Sequence, residues 1–245
     1  MGLIDKNRLL PHRHTNLTGL IVFLDFDDES IVIPGVPVVV SGPSGVGKGS
    51  IISVVVERHQ EISVSTSMTS RPPRADEKEG FDYYFVDRPT FLKRIEDGML
   101  LEWAEVYGQL YGTPKEPLVR NLESGRDVIM ELDVQGGLSV KKALPKACLI
   151  FVLPPSWEEQ ARRLRGRGTE TESEVKRRLS EVAEELHYLK YYQYIVINRS
   201  VEQAAEKVRT IIMAERYRRA HLEPVLRKTG LLPDGLGDES NASET

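Results

Sequence analysis

One segment constrains the fold more than any other. An apolar run, Val38–Val40, leads into Ser41-Gly42-Pro43-Ser44-Gly45-Val46-Gly47-Lys48-Gly49-Ser50, and a second apolar run, Ile51–Val56, follows at once. The order reads as strand, glycine-rich turn and helix. Glycines let such a turn wrap with its backbone N–H groups facing inward, where the start of the helix adds positive potential and Lys48 adds a full charge. Gly42-x4-Gly47-Lys48 between a strand and a helix therefore predicts a cradle for the β- and γ-phosphates of ATP, built from Gly42, Pro43, Ser44, Gly45, Val46, Gly47, Lys48, Gly49 and Ser50. One position departs from that pattern. The residue after the lysine is ordinarily a serine or threonine whose hydroxyl reaches Mg²⁺, but here it is Gly49, with Ser50 displaced by about 100° around the helix. Ser50 is thus a weak metal ligand, and the ATP phosphates and water are expected to carry more of the coordination.

The rest of the chain supports an α/β architecture with a P-loop NTPase-type core: a mainly parallel sheet flanked by helices, a small β-rich insertion and a mobile lid. Strands are predicted at Val38–Val40, Ile62–Ser65, Val128–Leu132, Leu149–Leu153 and Tyr194–Ile197. Apolar residues at helical spacing predict helices over Glu174–Leu189 (Val175, Leu179, Val182, Ala183, Leu186) and Val201–Ile212. Between Phe81 and Thr113 the chain turns aromatic, with Gly98, Gly108 and Gly112 as punctuation, which suggests a small sheet able to cover a ligand. Pro34-Gly35-Val36-Pro37 marks a boundary. The expected division is an N-terminal extension of no assigned role (1–35), one domain (36–220, with the insertion at about 67–113 and the lid at about 165–178) and a flexible tail (221–245).

Charge and composition narrow the partners. A net charge of −4 argues against general nucleic-acid binding, which rests on a surplus of Lys and Arg. The apolar stretch Leu20–Leu24 is far shorter than the ~20 residues that span a bilayer, so no membrane partner is expected. Cys148 is the only cysteine and lies in an apolar run, which leaves neither a disulfide nor a thiolate metal site within one chain. With no signal-like N-terminus, the expected location is the cytoplasm.

A second anion site is predicted at Ser65-Thr66-Ser67-Met68-Thr69-Ser70-Arg71-Pro72-Pro73-Arg74, followed by Glu77, Gly80 and Asp82-Tyr83-Tyr84-Phe85-Val86. Two arginines three apart, fixed by prolines near phenolic hydroxyls, form either a fork-shaped clamp for phosphate or a solvated basic turn. Taken with the phosphate loop, this run resembles the guanylate kinase family, whose pattern S-x-T-T-R-x-P-R-x-G-E-x-x-G-x-D-Y-x-F-V it follows with Ser70 and Asp76 as departures. The resemblance extends over about residues 37–218, through Leu101-Glu102-Trp103-Ala104, Tyr111-Gly112-Thr113, Glu131-Leu132-Asp133-Val134-Gln135-Gly136 and Gly166-Arg167-Gly168-Thr169.

That resemblance implies ATP-dependent phosphorylation of GMP, with dGMP as a second acceptor and Mg²⁺ as cofactor. It places Ser67 and Glu102 at the guanine and Thr113 near its O6 edge. Arg71, Arg74, Tyr83 and Tyr111 fall at the GMP phosphate, Glu131 and Asp133 on the acceptor side, and Asn198 near the adenine of ATP. Asp133 either holds a magnesium-bound water or faces the acceptor ribose. Lys48, with lid arginines Arg167 and Arg178, neutralises the transferring phosphoryl group, while Arg162, Arg163 and Arg165 are expected on a solvated helix face. Two rival readings are a kinase of another phosphorylated acceptor, such as ribose 1,5-bisphosphate, and a non-catalytic binding module. The Arg71/Arg74 and Glu102 blocks oppose the first, and the intact phosphate loop opposes the second.

Overall fold

The computed structural model describes residues 32–106, 108–166, 178, 180, 182 and 184–232. Its central sheet is built from five strands: β1 (Pro37–Ser41), β2 (Ile62–Val64), β7 (Asp127–Glu131), β8 (Cys148–Leu153) and β9 (Tyr194–Ile197), in the order β2-β7-β1-β8-β9 and parallel throughout. Each expected strand is present, with its ends shifted by at most one residue. The buried middle strands read as continuous aliphatic runs because a parallel sheet is covered on both faces. Alternation then divides β1 between two cores. Val38 and Val40 pack with Ile51 and Val55 of α1 (Lys48–Arg58) and with Val208 and Ile212, whereas Val39 packs with Met130, Leu149 and Phe151 on the opposite face.

Register positions the site. Val40 pairs with Glu131 and Ser41 with Phe151, so the carboxyl ends of β1, β7 and β8 finish at one edge of the sheet. The glycine loop and Glu131-Leu132-Asp133 must therefore emerge side by side, the crevice in which open α/β sheets bind ligands.

A second sheet of four strands, β3 (Ser67–Thr69), β4 (Tyr83–Phe85), β5 (Leu100–Val106) and β6 (Gln109–Pro114), has the order β4-β3-β6-β5. Helix α2 (Arg88–Glu96) covers it through Phe91, which shares a small core with Met68, Leu100 and Leu110. Asp87 caps that helix by accepting from Thr90 N–H at 2.9 Å. Helices α3 (Lys115–Glu123), α4 (Val134–Ala143), α5 (Trp157–Gly166), α6 (Val201–Arg216) and α7 (Arg219–Lys228) complete the described elements.

Three expectations about the chain's outer parts need restating. Of the helix expected at Glu174–Leu189, residues 178, 180, 182 and 184–186 are helical, and Leu189–Tyr191 forms a short 3₁₀ turn instead of its last residue. The lid positions 167–177, with Arg167 among them, lie outside the described residues. The tail expected from residue 221 instead carries α7, stabilised by Arg219–Glu223 at 3.1 Å and Arg227–Glu223 at 2.8 Å. Pro224 looks like a helix breaker in sequence, yet the helix runs through it, with Glu223 paired to Arg219 and Arg227 four residues to either side.

At the other end the chain joins the domain slightly before Val36. Gly35 is buried and donates to Leu122 O at 2.7 Å, Val36 N–H donates to Asp127 Oδ1 at 2.8 Å, and His221 Nε2 meets Pro34 O at 2.8 Å. Among the described residues, no helix is long and apolar enough to cross a membrane.

Candidate active site

The loop after β1 needs glycine for two separate reasons. Gly42 has φ 144°, and a Cβ there would stand 2.3 Å from Val152 O, while Gly47 sits at φ 96° in the left-handed region as the residue that opens α1. No side chain caps α1, so the N–H groups of its first turn are left for an anion. Lys48 Nζ folds over the loop, donating to Gly42 O at 2.6 Å and Pro43 O at 3.3 Å. Gly49 and Ser50 are exposed in the first turn of α1, and a Cβ on Gly49 would lie 3.4 Å from Glu131 Oε2.

The loop is held from behind by residues that its own sequence does not reveal. Gln160, fully buried on α5, donates through Nε2 to Ser44 O, and Leu164 on the same helix packs against Gly45. Arg163 corrects an expectation. Rather than facing solvent, its guanidinium bridges Val46 O at 3.3 Å and Asn198 O at 3.1 Å, oriented by Glu159 at 2.8 Å. Glu159 serves Arg162 and Arg163 together, which draws its carboxyl down to about 2. Asn198, placed by sequence at the adenine, is buried beneath the loop and donates to Val46 O at 2.7 Å. Arg178 reaches the loop and donates to the Ser44 hydroxyl.

Across the crevice, Glu102 on β5 and Thr113 on β6 face each other from antiparallel neighbours, and the threonine hydroxyl donates to Glu102 Oε1 at 2.7 Å. Both are buried, and burial pushes the Glu102 carboxyl above the ordinary carboxylate range despite that hydrogen bond. Asp133 caps α4 by accepting from Gly136 N–H at 2.7 Å, and its carbonyl accepts from the Ser41 hydroxyl at 3.3 Å. The strand end before the loop is thereby tied to the acidic turn after β7.

The arginine pair separates into unlike members. Arg71 is nearly buried, lies over the Tyr83 ring at 5.0 Å, and makes a two-pronged ion pair with Glu77 in which both bonds are 2.6 Å. Glu77 also accepts from Arg74 N–H at 2.9 Å, and these donors hold its carboxyl at about 2, while the pairing raises Arg71. Tyr111 meets Tyr83 edge to face at 6.0 Å, and burial raises the Tyr83 phenol. Arg74 is exposed. Glu77, Gln160 and Arg163 are the site's supporting residues that sequence reasoning missed; only Glu77 had a signal, its place within the arginine motif.

Two cavities make these parts continuous. One of about 330 Å³ is lined by Ser67, Tyr83, Glu102, Tyr111, Glu131 and Asp133. The other, of about 460 Å³, is lined by Gly42, Ser44 and Lys48, and shares Ser67, Tyr83, Glu131, Leu132 and Asp133 with the first.

Comparison with known proteins points to one family. Residues 35–215 match the family model described as guanylate kinase. The chain is 47% identical over 189 residues to a guanylate kinase of Caldanaerobacter subterraneus subsp. tengcongensis, covering 77% of this chain and 92% of that one. It is 42% identical over 182 residues to a guanylate kinase of Syntrophomonas wolfei, covering 74% and 93%. A crystal structure of guanylate kinase from Anaplasma phagocytophilum superposes with a TM-score of 0.65 at 32% identity, covering 83% of this chain and all of that one.

Proposed function

The chain belongs to the guanylate kinase family and is an ATP-dependent phosphotransferase acting on GMP, and we propose that the groove running from Lys48 to Glu102 is where the transfer takes place. The observation that carries this reading is the shared wall of the two cavities, since a phosphate loop and a buried carboxylate pocket opening into one groove can hold donor and acceptor end to end.

In this reading the guanine enters beside Glu102, Ser67 and Thr113. An ionised Glu102 accepts from guanine N1–H and the N2 amino group together, whereas adenine offers no such pair and would leave the buried carboxylate uncompensated. Arg71, Arg74, Tyr83 and Tyr111 hold the GMP phosphate, with Glu77 fixing the plane of the Arg71 fork. A GMP phosphate oxygen forms the new bond to the γ-phosphorus as the bond to the ADP oxygen breaks. Lys48, Arg167 and Arg178 stabilise the charge on the group in flight. Asn198, Gln160 and Arg163 act through the loop, keeping its N–H groups convergent on the donor.

The donor set fits Mg²⁺ as the cofactor. Glu131 and Asp133 bring hard oxygen ligands to the wall that also carries Lys48, and Mg²⁺ is commonly bound by one or two carboxylates plus substrate phosphates. When bound, the metal would supply positive charge that offsets the charge of the donor phosphates. Asp133 would contact it through water and Ser50 weakly. We also propose dGMP as an acceptor and the cytoplasm as the location.

The test is ADP release from ATP with GMP, dGMP, AMP or no acceptor. GMP and dGMP should support turnover and AMP should not. Equal rates with GMP and without acceptor would overturn the reading.

A further inference from the structure

An apolar side chain stands in the groove where phosphate chemistry alone would not place one. Phe81 is 83% exposed, yet it lines the same cavity as Gly42, Ser44, Lys48 and Asp133, with the half-exposed Val64 on that wall too. It belongs to none of the three apolar clusters described for this chain. The exposure is not the accident of a loose loop. Phe81 N–H donates to Lys78 O at 3.2 Å, Asp82 N–H to the same carbonyl at 3.0 Å, and Lys78 N–H to Asp82 Oδ2 at 2.8 Å. Gly80, at φ 77°, donates to Tyr83 O at 2.8 Å and accepts from the Thr66 hydroxyl at 3.3 Å. The turn is thus fastened on both sides and holds Phe81 at the cavity that the donor loop also lines. Leaving a whole phenyl group in water forgoes burial energy that a polar residue at this position would never have had to recover.

We propose that Phe81 is the groove's water-excluding residue: with ATP and GMP both bound, its ring covers the donor side and keeps water from the γ-phosphorus. The inference rests on the groove being the phosphotransfer site. Two nucleophiles compete there for one phosphorus atom. Attack by a GMP phosphate oxygen forms GDP and releases ADP. Attack by water forms a P–O bond in its place, breaks the same bond to ADP, and yields inorganic phosphate with loss of a proton. Lys48, Arg178 and the loop N–H groups stabilise either transition state, because the charge they neutralise on the transferring group is the same. Discrimination must therefore come from access, and a site that closes over its substrates suppresses such side reactions by expelling water.

The experiment measures ADP, GDP and inorganic phosphate in one reaction. The parent should form ADP and GDP in equal amounts. Phe81→Ala should raise the ADP formed per GDP at least about fivefold, with phosphate accounting for the excess, and Phe81→Leu should restore most of the coupling. Equal ADP and GDP from Phe81→Ala would overturn the proposal, whether or not its overall rate fell. A parent that forms no GDP would overturn the functional reading as well, so the two failures differ. As an independent readout, the fluorescence that Phe81→Trp adds to that of the parent should shift to the blue when GMP and a non-hydrolysable ATP analogue bind together. An unshifted emission would mean that the ring stays in water, and would overturn the proposal.

Discussion

Glu102 carries two opposing consequences of its burial. Because burial lifts its pKa, ionisation of the folded protein costs stability above the ordinary carboxylate range, yet guanine recognition needs the ionised form. Glu102→Gln should therefore melt no lower than the parent at neutral pH, while kcat/KM for GMP falls at least about 100-fold, or about 2.7 kcal/mol, and the KM for ATP is unchanged. In the parent, the KM for GMP should rise as pH falls through that raised pKa; a KM that is flat down to the ordinary range would place recognition elsewhere. Lys48 makes its bonds to loop carbonyls and occupies no core position. Lys48→Ala should then lower kcat by at least about 100-fold with little change in melting temperature. An unchanged kcat would contradict its role on the transferring group. At Gly49 there is room for a side chain, and a serine hydroxyl would arrive beside Glu131. Gly49→Ser should reach half-maximal activity at lower free Mg²⁺ than the parent, at saturating ATP. Coincident titrations would show that the loop hydroxyl has no part in metal binding here.

At the scale of elements, the insertion and α5 teach different things. That the insertion is β-rich is legible because aromatic and glycine punctuation is local, but the helix Arg88–Glu96 within it and the locking of Arg71 by Glu77 are not, since spacing alone cannot say which carboxylate a guanidinium selects. Removing that partner with Glu77→Ala should raise the KM for GMP by about tenfold, or about 1.4 kcal/mol, through loss of Arg71 orientation. A lower KM would mean that Glu77 competes with GMP instead of preparing the fork. The pair also has a pH sign. The Glu77 pKa is depressed to about 2, so its contribution to stability is present above the unfolded value near 4.5 and fades as pH falls toward 2. Thermal melting across that window should be flatter in Glu77→Ala than in the parent. Helix α5 reads in sequence as a basic amphipathic segment. That Gln160 and Arg163 grip the phosphate loop depends on β8 delivering the helix behind it, which no local pattern encodes.

At the scale of the molecule, the N-terminal arm tests where folding ends. Pro34, Gly35 and Val36 make backbone contacts to the domain, and a Cβ on Gly35 would fall 1.7 Å from Arg126 O, so this strand entry is closely packed. A chain starting at Val32 should keep full activity and its melting temperature. One starting at Val36 loses the Gly35 and Pro34 bonds and should be less stable by about 1–3 kcal/mol. Equal melting of the two would show that these contacts add nothing. By itself the amino-acid sequence determined the donor cradle, the five parallel strands, the small second sheet and the acceptor motif, because each rests on periodicity, glycine placement or a short ordered block. Only the tertiary structure decided that Glu102 finds Thr113, that Asn198 and Arg163 brace the loop from beneath, that α7 persists past Pro224, and that Phe81 lines the cavity it shares with the donor loop. Those outcomes turn on which residues meet across strands and helices far apart in the chain, and on how deeply water is shut out where they meet, neither of which local sequence specifies.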